Sequence, residues 1–501
     1  MKFRKIFTLI FAFMTGIAGY ATDYNVPVTV IVNDEYSEQS AIVSVVEKDG
    51  KYNLMLKNFV LQNEGGSIGV GNVELTSIVP YQDGNATLLL TKQTATITDG
   101  DDPEVSFWMG PKLSPVTVDL RAKIEYDHLR CYIDIDMMET LGQMIHVAVG
   151  EGFQLPNQSF EQWHSSSKNY EEPNAWHSFE SATGNLAALA GHHLEKSTDA
   201  HSGKTSARIY ATSIYGIVAN GTMTTGRMNA GSMSAANISN HAYLDMSMED
   251  KDGNGDPFYT PLYSRPDSIA VWVKFKQGTS NSSHPYATMS AVITDGTRYQ
   301  DPENKKYTNV MAKAKNSTIA VTDDKWVRVT APFNYTDYNV EPKAVLVTLS
   351  TNADAGQGSA NDEMLIDDIE FIYNAEVTRL KVKNQEIIDF NANKTEYDVE
   401  LNEAVTANDI EVAVNGRGAH IVKTVTTEND QYICTVQVIS ADMSTSASYK
   451  ISVVSSEPTG IKNVNEEPGT KNREYYNLNG QRVGELRRGI YVVNGKKTVI
   501  K

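Results

Sequence analysis

The chain has 501 residues, of which 41% are hydrophobic and 21% are charged, and its formal net charge is −18 at pH 7. This length allows about three or four domains of ordinary size, and the composition is that of a folded protein rather than a disordered one. The negative charge argues against nucleic acid and anionic membrane surfaces as partners, because binding to phosphates requires basic patches.

The first residues have the pattern of a secretory signal peptide. Positive residues precede an apolar stretch from Ile6 to Ile17, and Gly19 and Ala21 supply the small side chains of a cleavage site after Ala21. That stretch is short for a membrane span, and no later run is long and apolar enough to be one. We expect residues 1–21 to be removed and the mature chain to be exported, to the periplasm, the outer-membrane surface or the extracellular space.

Apolar and polar residues alternate along most of the chain, which places one face of a strand in a core and the other in water. Turn signals such as Asp49-Gly50 and Asn479-Gly480 separate these segments. We therefore predict an antiparallel all-β fold, with one short helix or turn between Met138 and Met144. The alternating run that best illustrates the pattern is Val116, Val118, Leu120, Ala122 and Ile124, with Thr117, Asp119, Arg121 and Lys123 between them.

Both cysteines of the chain follow the same alternation. Cys131 and Cys434 lie on the apolar sides of two strands that we assign to different domains. We expect two buried free thiols rather than a disulfide.

Shifts in composition divide the mature chain into five parts. We predict a strand-rich first domain at 22–153, a long unit rich in Ser, Asn, Gly and aromatic residues at 154–374, a small third domain at 375–454, a linker at 455–474 and a strand-forming tail at 475–501.

Three stretches of the first domain carry a family resemblance: VPVTVIVN from Val26, KDGKYNLMLKNFVL from Lys48 and VGNVELTSIV from Val70. They resemble the calycin-like (lipocalin-like) domains of secreted Bacteroidetes proteins, which implies a small antiparallel barrel. A barrel of about eight strands either holds one small ligand or is filled by side chains. The sequence leaves both choices open for Phe107, Trp108 and Met109.

The second unit carries LPNQSFEQW from Leu155 and MLIDDIEF from Met364. It resembles the carbohydrate-metabolism domain of the same kind of proteins, which implies a jelly-roll β-sandwich similar to carbohydrate-binding modules. In such modules the first and last strands lie together and often hold a structural calcium ion. The calcium ligands that the resemblance implies are Glu161, Asp367 and Asp368; the alternative is surface carboxylates at a strand end.

The remaining parts carry two further resemblances. The segment LKVKNQEIIDFNANKTEYDVEL from Leu380 is similar to small cadherin-like β-sandwiches. The tail, with YYNLNGQRV from Tyr475 and GIYVVNGKK from Gly489, resembles C-terminal sorting regions of secreted Bacteroidetes proteins. This implies export across the outer membrane with attachment at the surface; the alternative is a terminal hairpin that only stabilises the fold.

Sugars bind to exposed aromatic planes, with polar side chains holding the hydroxyl groups. The candidate stacking residues of the second unit are Trp163, Trp176, Trp272 and Tyr299. Trp272 occupies a polar phase of its strand, so we expect it to face outward.

An acidic segment offers a second candidate calcium site. Asp250, Asp252, Asn254 and Gly255 reproduce the start of an EF-hand-type loop, D-x-D-x-N-G. The position at which that loop requires a bidentate Glu is Pro261. The alternative to a weak calcium loop is a solvated acidic turn.

We expect a secreted or surface-exposed glycan-binding protein, with non-covalent recognition by the second unit and no cofactor beyond a structural calcium ion. One alternative is a glycoside hydrolase acting on polysaccharide, which would need two carboxylates facing each other across a cleft. Another is a structural or adhesive surface protein without a small-molecule site. The chain shows no sequence motif of a catalytic centre.

Overall fold

A computed structural model describes residues 20–32, 35–63, 66–336, 340–428, 431–454, 462–463, 475–478, 480–484, 487–493 and 496–500. Residues 1–19 of the predicted signal peptide and most of the predicted linker lie outside this described part. Within it the chain is all-β, as predicted. The helices are α1 (Gly110–Leu113), α2 (Met138–Leu141) and α3 (Ala187–Ala190), with short 3-10 turns at Phe179–Ser181 and Ala407–Asp409.

The chain forms two compact units. The first comprises the described residues up to Val377, together with the segments 414–422 and 437–447. The second comprises residues 378–413, 423–436 and the described residues from Ser448 onward. None of the described helices is both long and apolar enough to cross a bilayer.

The first part of the first unit is one curled antiparallel sheet. Its strands follow the spatial order β4-β3-β2-β1-β9-β8-β7-β6-β5. They are β1 (Tyr20–Val32), β2 (Glu35–Lys48), β3 (Lys51–Asn63), β4 (Gly66–Ile78), β5 (Pro80–Asp83), β6 (Ala86–Ala95), β7 (Val116–Glu125), β8 (His128–Met137) and β9 (Gln143–Val149).

The two ends of this sheet approach each other, so that it curls into a partly closed barrel. Asn72 of β4 exchanges backbone hydrogen bonds of 2.9 and 3.1 Å with Thr98, which follows β6. The side chain of Gln93 on β6 accepts from the amide of Thr76 on β4 at 3.2 Å. These contacts cover part of the unpaired edge of β4.

The alternation in β7 is confirmed on its inner face, where Val116, Val118, Leu120 and Ala122 are buried. The expectation that the other face lies in water is wrong for two residues, since Arg121 is only 5% and Lys123 only 3% exposed. The reason is a covering segment from far along the chain: Arg121 donates to the carbonyl of Met443 at 2.8 Å.

The rest of the first unit is a two-sheet sandwich. One sheet has the order β12-β13-β29-β22-β26 and the other β16-β28-β23-β25-β27, with β21 also paired to β28. Its strands and flanking ribbons are β10 (Trp163–Ser165), β11 (Glu171–Pro173), β12 (Leu194–Ser197), β13 (Ser206–Tyr210), β14 (Thr212–Ile214), β15 (Ile217–Ala219), β16 (Thr222–Thr224), β17 (Arg227–Asn229), β18 (His241–Tyr243), β19 (Asp245–Glu249), β20 (Pro257–Phe258), β21 (Thr260–Pro261), β22 (Ser268–Lys276), β23 (Ala287–Thr294), β24 (Gln300–Asp301), β25 (Val310–Ile319), β26 (Val327–Pro332), β27 (Asn334–Tyr335), β28 (Ala344–Ser350) and β29 (Glu363–Ile372).

The sandwich core draws on both sheets, with Ile209, Val271 and Ile366 from one and Met289 and Val347 from the other. The opening segment of the sandwich lies against its last strand. Gln154 donates to the carbonyl of Phe371 at 2.7 Å, and the amide of Ile369 donates to Gln158 at 3.0 Å.

The remaining strands form three small sheets in the orders β31-β30-β33, β32-β36-β35-β34 and β37-β40-β39-β38. They are β30 (Val377–Val382), β31 (Gln385–Glu386), β32 (Glu396–Glu400), β33 (Ile410–Val414), β34 (His420–Glu428), β35 (Gln431–Ile439), β36 (Ser446–Val454), β37 (Lys462–Asn463), β38 (Tyr475–Tyr476), β39 (Gly489–Val493) and β40 (Lys496–Ile500). The predicted C-terminal hairpin is present as the antiparallel pair β39 and β40.

Both cysteines are buried and free, as predicted. Burial raises the pKa of the Cys131 thiol to about 12 and that of Cys434 to about 11. Neither thiol is therefore ionised appreciably at neutral pH, which is the behaviour of core residues.

Arg130 joins the barrel to the covering segment. Its guanidinium is buried and donates to the carbonyls of Asp442 at 2.9 Å, Gly150 at 3.2 Å and Val149 at 3.4 Å. The ring of Phe153 lies 4.8 Å from the guanidinium carbon. This one side chain therefore supplies hydrogen bonds to acceptors in two separate segments.

We expect Arg130→Ala to lower the free energy of unfolding by about 2–4 kcal/mol, because it leaves buried carbonyls without donors. Urea denaturation of the full chain measures the change. The control is Arg328→Ala, which removes a half-exposed partner of Glu370 at 2.8 Å and should cost less than about 1 kcal/mol. Equal losses in the two variants would contradict a special role for Arg130.

Candidate functional site

The barrel encloses a cavity of about 1480 Å³. Aliphatic side chains from all around the sheet line it, so its wall is largely apolar. The apolar lining consists of Val30, Val32, Leu54, Leu56, Phe59, Leu61, Ile68, Val70, Val73, Leu75, Ile97, Met109, Leu113, Val116, Val118, Ile133, Ile135, Met137, Leu141, Ile145 and Val147.

The interior stays open because its inward positions, apart from Phe59, carry side chains of medium size, and Phe107 and Trp108 do not fill it. Trp108 packs beside Gly69 and against Gly100, where an added Cβ atom would lie 2.3 Å from the indole. Phe107 is 48% exposed, and Met109 forms part of the wall. The choice between a filled and a hollow barrel is therefore settled in favour of a hollow one.

Polar residues surround the mouth of the cavity. They come from β2 of the barrel and from three segments of the sandwich, at 157–162, 202–204 and 368–370. The side chain of Gln162 donates to Glu38 at 2.9 Å, which joins the two sides of the mouth.

The charge at the mouth is mainly negative. Glu38, Glu161, Asp368 and Glu370 supply carboxylates, and Lys204 supplies an ammonium group. Such a mouth attracts cationic groups, accepts neutral ones without repulsion and disfavours anionic ones.

Glu161, Asp367 and Asp368, the candidate calcium ligands, surround the loop that leads into β13. Glu161 accepts from the amides of Lys204 at 2.7 Å and Thr205 at 3.0 Å. The three carboxylates thus lie near one loop and hold it by hydrogen bonds. Calcium binding there stays a prediction.

Asp367 accepts from the amides of His201 at 2.7 Å and Ser202 at 3.2 Å, and the neighbouring Asp368 carboxylate contacts the His201 ring at 2.6 Å. Burial, followed by the negative charge of Asp368, raises the pKa of Asp367 to about 7 in spite of these amide donors. Asp367 is therefore partly protonated at neutral pH.

Two of the four candidate stacking residues are core residues. Trp176 is fully buried and packs 5.4 Å from the ring of Phe160, and Tyr299 is only 2% exposed beside Tyr307. Their rings present no face to a ligand, which corrects the expectation for both. A loop-like sequence did not reveal that the sandwich core extends beneath Trp176.

The other two candidates are half-buried. Trp163 packs on the sandwich core, its indole N–H donates to the Phe160 carbonyl at 2.5 Å, and the ammonium of Lys196 lies 5.3 Å from its ring centre. Trp272 lies on the outer face of β22, as expected, with the His201 ring stacked on it at 3.8 Å.

A second indole joins this outer face. The His201 ring meets Trp326 edge-on at 6.0 Å, and Trp326 donates to Asp199 at 3.3 Å. Lys274 lies 5.5 Å from the Trp326 ring. We call Trp272, Trp326 and His201 the aromatic face.

The acidic segment forms a tight turn after β19. Asp250 is buried at 3% exposure and accepts from the amide of Gly253 at 3.1 Å. Asp252 and Asn254 are exposed, and the Asn254 amide donates to Asp256 at 2.8 Å. Of the three candidate calcium ligands in this segment, Asp250 is therefore buried, whereas Asp252 and Asn254 lie at the surface.

Sequence reasoning did not identify the cavity-lining residues as a site. A usable signal was present, because the inward positions of the first domain are almost all Val, Ile and Leu. Side chains of this size fill a narrow barrel but do not reach the axis of a wide one.

No family model and no curated protein matches the chain. A solved structure from Bacteroides thetaiotaomicron, provisionally named a glycoside hydrolase, has 12% identity and a TM-score of 0.31, covering 68% of this chain and 87% of that one. The structure of PNGF-II has 9% identity and a TM-score of 0.14, covering 71% and 70%. Both TM-scores are too low to carry an argument about fold or function.

The raised pKa of Asp367 predicts a pH dependence of stability. An unfolded Asp titrates at about pH 3.9. Between that pH and about 7, the native state therefore keeps a proton on Asp367 that the unfolded state has lost. The stabilising contribution of this proton is complete at low pH and is lost as the pH rises through the native pKa.

We expect Asp368→Asn to reduce the loss of stability with rising pH, because it removes the neighbouring charge that raises the pKa of Asp367. Asn tolerates the positive φ of 43° at this position. Urea unfolding at pH values from about 5 to 8 measures the slope. The control, Asp324→Asn, makes the same charge change at a side chain that is 94% exposed. A slope for Asp368→Asn as steep as that of the wild type would contradict the assignment.

Proposed function

We propose that this protein binds an elongated apolar ligand in the cavity of its barrel and does so outside the cytoplasm. The observation that carries the proposal is the 1480 Å³ volume behind an aliphatic wall. Pockets for small molecules usually measure about 300–1,000 Å³, so this one has room for a lipid-sized molecule. The predicted signal peptide supports a site of action beyond the inner membrane.

The chemistry of the wall favours a hydrocarbon chain. Water inside the cavity finds few hydrogen-bond partners among Val, Ile and Leu side chains, and an apolar ligand that displaces such water gains affinity. Burial of apolar surface contributes about 25 cal/mol per Å², which is the main source of binding energy in this proposal.

The acidic mouth selects the polar end of the ligand. The carboxylates of Glu38 and Glu161 would repel a free fatty-acid carboxylate at neutral pH, whereas that of Glu370 is paired with Arg328. A neutral head group, such as the glycerol of a monoacylglycerol, avoids this repulsion and can accept and donate hydrogen bonds at the mouth. We therefore infer that the cavity binds neutral lipids in preference to fatty acids.

The test is binding of Nile red, a neutral apolar dye, to the purified full chain, followed by displacement. We expect Ile135→Trp, which places an indole in the cavity, to weaken dye binding at least about tenfold, equivalent to about 1.4 kcal/mol. The matched control is Ile42→Trp on β2, whose side chain is 57% exposed and outside the cavity; it should bind as the wild type does.

Displacement distinguishes the head groups. Monoacylglycerol should displace the dye at a lower concentration than the fatty acid of the same chain length, and the difference should shrink when Glu38→Gln removes one mouth charge. Wild-type protein that binds no dye, or Ile135→Trp protein that binds it unchanged, would overturn the proposal.

A second candidate function is glycan recognition, and the aromatic face is the observation that favours it. Trp326 lies in an outer patch with Lys274 and Asp199, which can hold sugar hydroxyl groups while the indole packs on a pyranose face. Trp163 and Trp272 stay candidate stacking residues. The hydrolase and adhesive alternatives rest on no specific contact.

A glycan array probed with the full chain tests this candidate. We expect Trp326→Ala to lose at least about tenfold in signal, equivalent to about 1.4 kcal/mol, on any glycan that the wild type binds. Trp108→Ala, which alters an indole in the barrel, is the control and should keep the signal. Silence of the wild type across diverse glycans would remove the candidate.

A further inference from the structure

A largely buried group of side chains able to bind a metal lies at the turn that follows β19. His164, Glu172 and Asp250 each offer one ligand atom, and these atoms all lie within 4.8 Å of one another. His177 adds a fourth, since its Nδ1 lies 3.6 Å from Oδ2 of Asp250. Glu172 is 1% exposed, Asp250 3% and His177 not at all. Neither the cavity wall nor the aromatic face uses these residues.

Local backbone pairing positions the group. His164 on β10 lies directly opposite Glu172 on β11 in a two-stranded ribbon, so the two side chains are cross-strand neighbours. His177 is fixed by reciprocal backbone hydrogen bonds with Thr224 at 2.8 and 2.9 Å. The amide of Ser167 donates to Asp252 at 2.6 Å, which joins the ribbon to the Asp250 turn.

In their neutral forms, both imidazoles present a nitrogen without a proton to the group. Nδ1 of His164 lies 3.0 Å from Oδ1 of Asn174, and that same oxygen accepts from Asn254 at 3.2 Å. Because this oxygen acts as an acceptor, Nδ1 of His164 carries the proton in the neutral ring. Nε2 then has a free lone pair. Nε2 of His164 is buried and has no hydrogen-bond partner.

His177 follows the same logic with its nitrogens exchanged. Its Nε2 lies 3.2 Å from the carbonyl oxygen of Pro257, which can only accept, so Nε2 carries the proton. Nδ1 is buried without a hydrogen-bond partner. A separation of 3.6 Å from Asp250 is too long for a hydrogen bond, but it matches two ligands bound to one tetrahedral ion, which lie about 3.3–3.6 Å apart.

The carboxylates are held in the same way as metal ligands usually are. Oε1 of Glu172 accepts from both the amide and the hydroxyl of Ser178, and Oδ1 of Asp250 accepts from the amide of Gly253. Outer hydrogen bonds of this kind fix the orientation of a ligand and leave the other oxygen for the ion.

Gly253 leaves the space that an ion would need. A Cβ atom at this position would lie 2.7 Å from Nε2 of His164 and 2.7 Å from Oδ2 of Asp250. The glycine thus keeps open a point that both ligand atoms face.

We propose that His164, Glu172, Asp250 and His177 bind one divalent transition-metal ion, with zinc as the best match. Imidazole nitrogen favours zinc and related metals, whereas calcium and magnesium prefer oxygen ligands. Four protein ligands in a buried group make a closed, structural site. The ion would fasten the β10–β11 ribbon and residue 177 to the Asp250 turn. This site uses Asp250 but differs from the D-x-D-x-N-G calcium loop in every other ligand.

The test uses the full chain, freed of metal with a chelator and then titrated with zinc chloride by calorimetry and thermal unfolding. We expect one zinc ion per chain, a higher unfolding temperature with zinc, and visible bands of four-coordinate cobalt when Co²⁺ replaces zinc. His164→Gln should weaken zinc binding at least tenfold. Gly253→Ala should do the same while keeping all four ligands.

The control is His284→Gln, which changes a histidine paired with Asp354 elsewhere in the sandwich and should leave zinc binding unchanged. Wild-type protein that takes up no zinc would overturn the proposal, and so would an equal loss in the His284 variant. Calcium that stabilises the wild type and the His164 variant equally, with zinc having no effect, would favour the acidic loop instead. If His164→Gln does not fold, Gly253→Ala still decides the question.

Discussion

The structure depends on one geometric constraint: a curled sheet of nine strands sends every second side chain toward an axis that those side chains do not reach. Backbone pairing between β4 and the segment after β6 draws the sheet edges together, so the diameter is set by strand number rather than by the volume of the side chains. With Val, Ile and Leu at most inward positions, the result is a hollow interior. The proposed ligand site is a direct consequence of this difference between the width of the barrel and the length of its inward side chains.

A second constraint acts on the outside of the barrel. Arg121, Lys123 and Arg130 project from the outer face of β7 and β8, yet they are buried. Their charges are matched by carbonyl and carboxylate oxygens, for example Asp134 at 2.8 Å from Arg121 and Glu125 at 3.3 Å from Lys123. Buried cations persist only with such partners, so the covering segment at 437–447 is held by polar contacts as well as by apolar packing.

Local structure could be predicted from the sequence, whereas burial by segments far along the chain could not. Alternation predicted the strands, the inner face of β7, the free cysteines and the terminal hairpin, because these follow from the side-chain period of a single strand. It failed for Arg121 and Lys123, because their cover lies some 300 positions away in the chain. It also failed for Trp176 and Tyr299, whose polar sequence neighbours concealed their place in the core. Trp272 does face outward, but only the structure shows His201 stacked on it.

The candidate metal ligands illustrate the same limit more sharply. In the sequence, Asp250 belongs to a calcium-like motif. In the structure, the side chains nearest to it come from β10, β11 and a bridge at residue 177, and their positions in the sequence follow no known ligand spacing. The β10 region also matters to the cavity, since Gln162 at the mouth immediately precedes the strand that carries His164. Successive residues of an extended chain are only about 3.3 Å apart, so an ion that fixes His164 also restricts Gln162 and its bond to Glu38. The proposed metal site and the proposed ligand cavity therefore share one structural element, and ordering of that element by the ion would act directly on the entrance through which a ligand must pass.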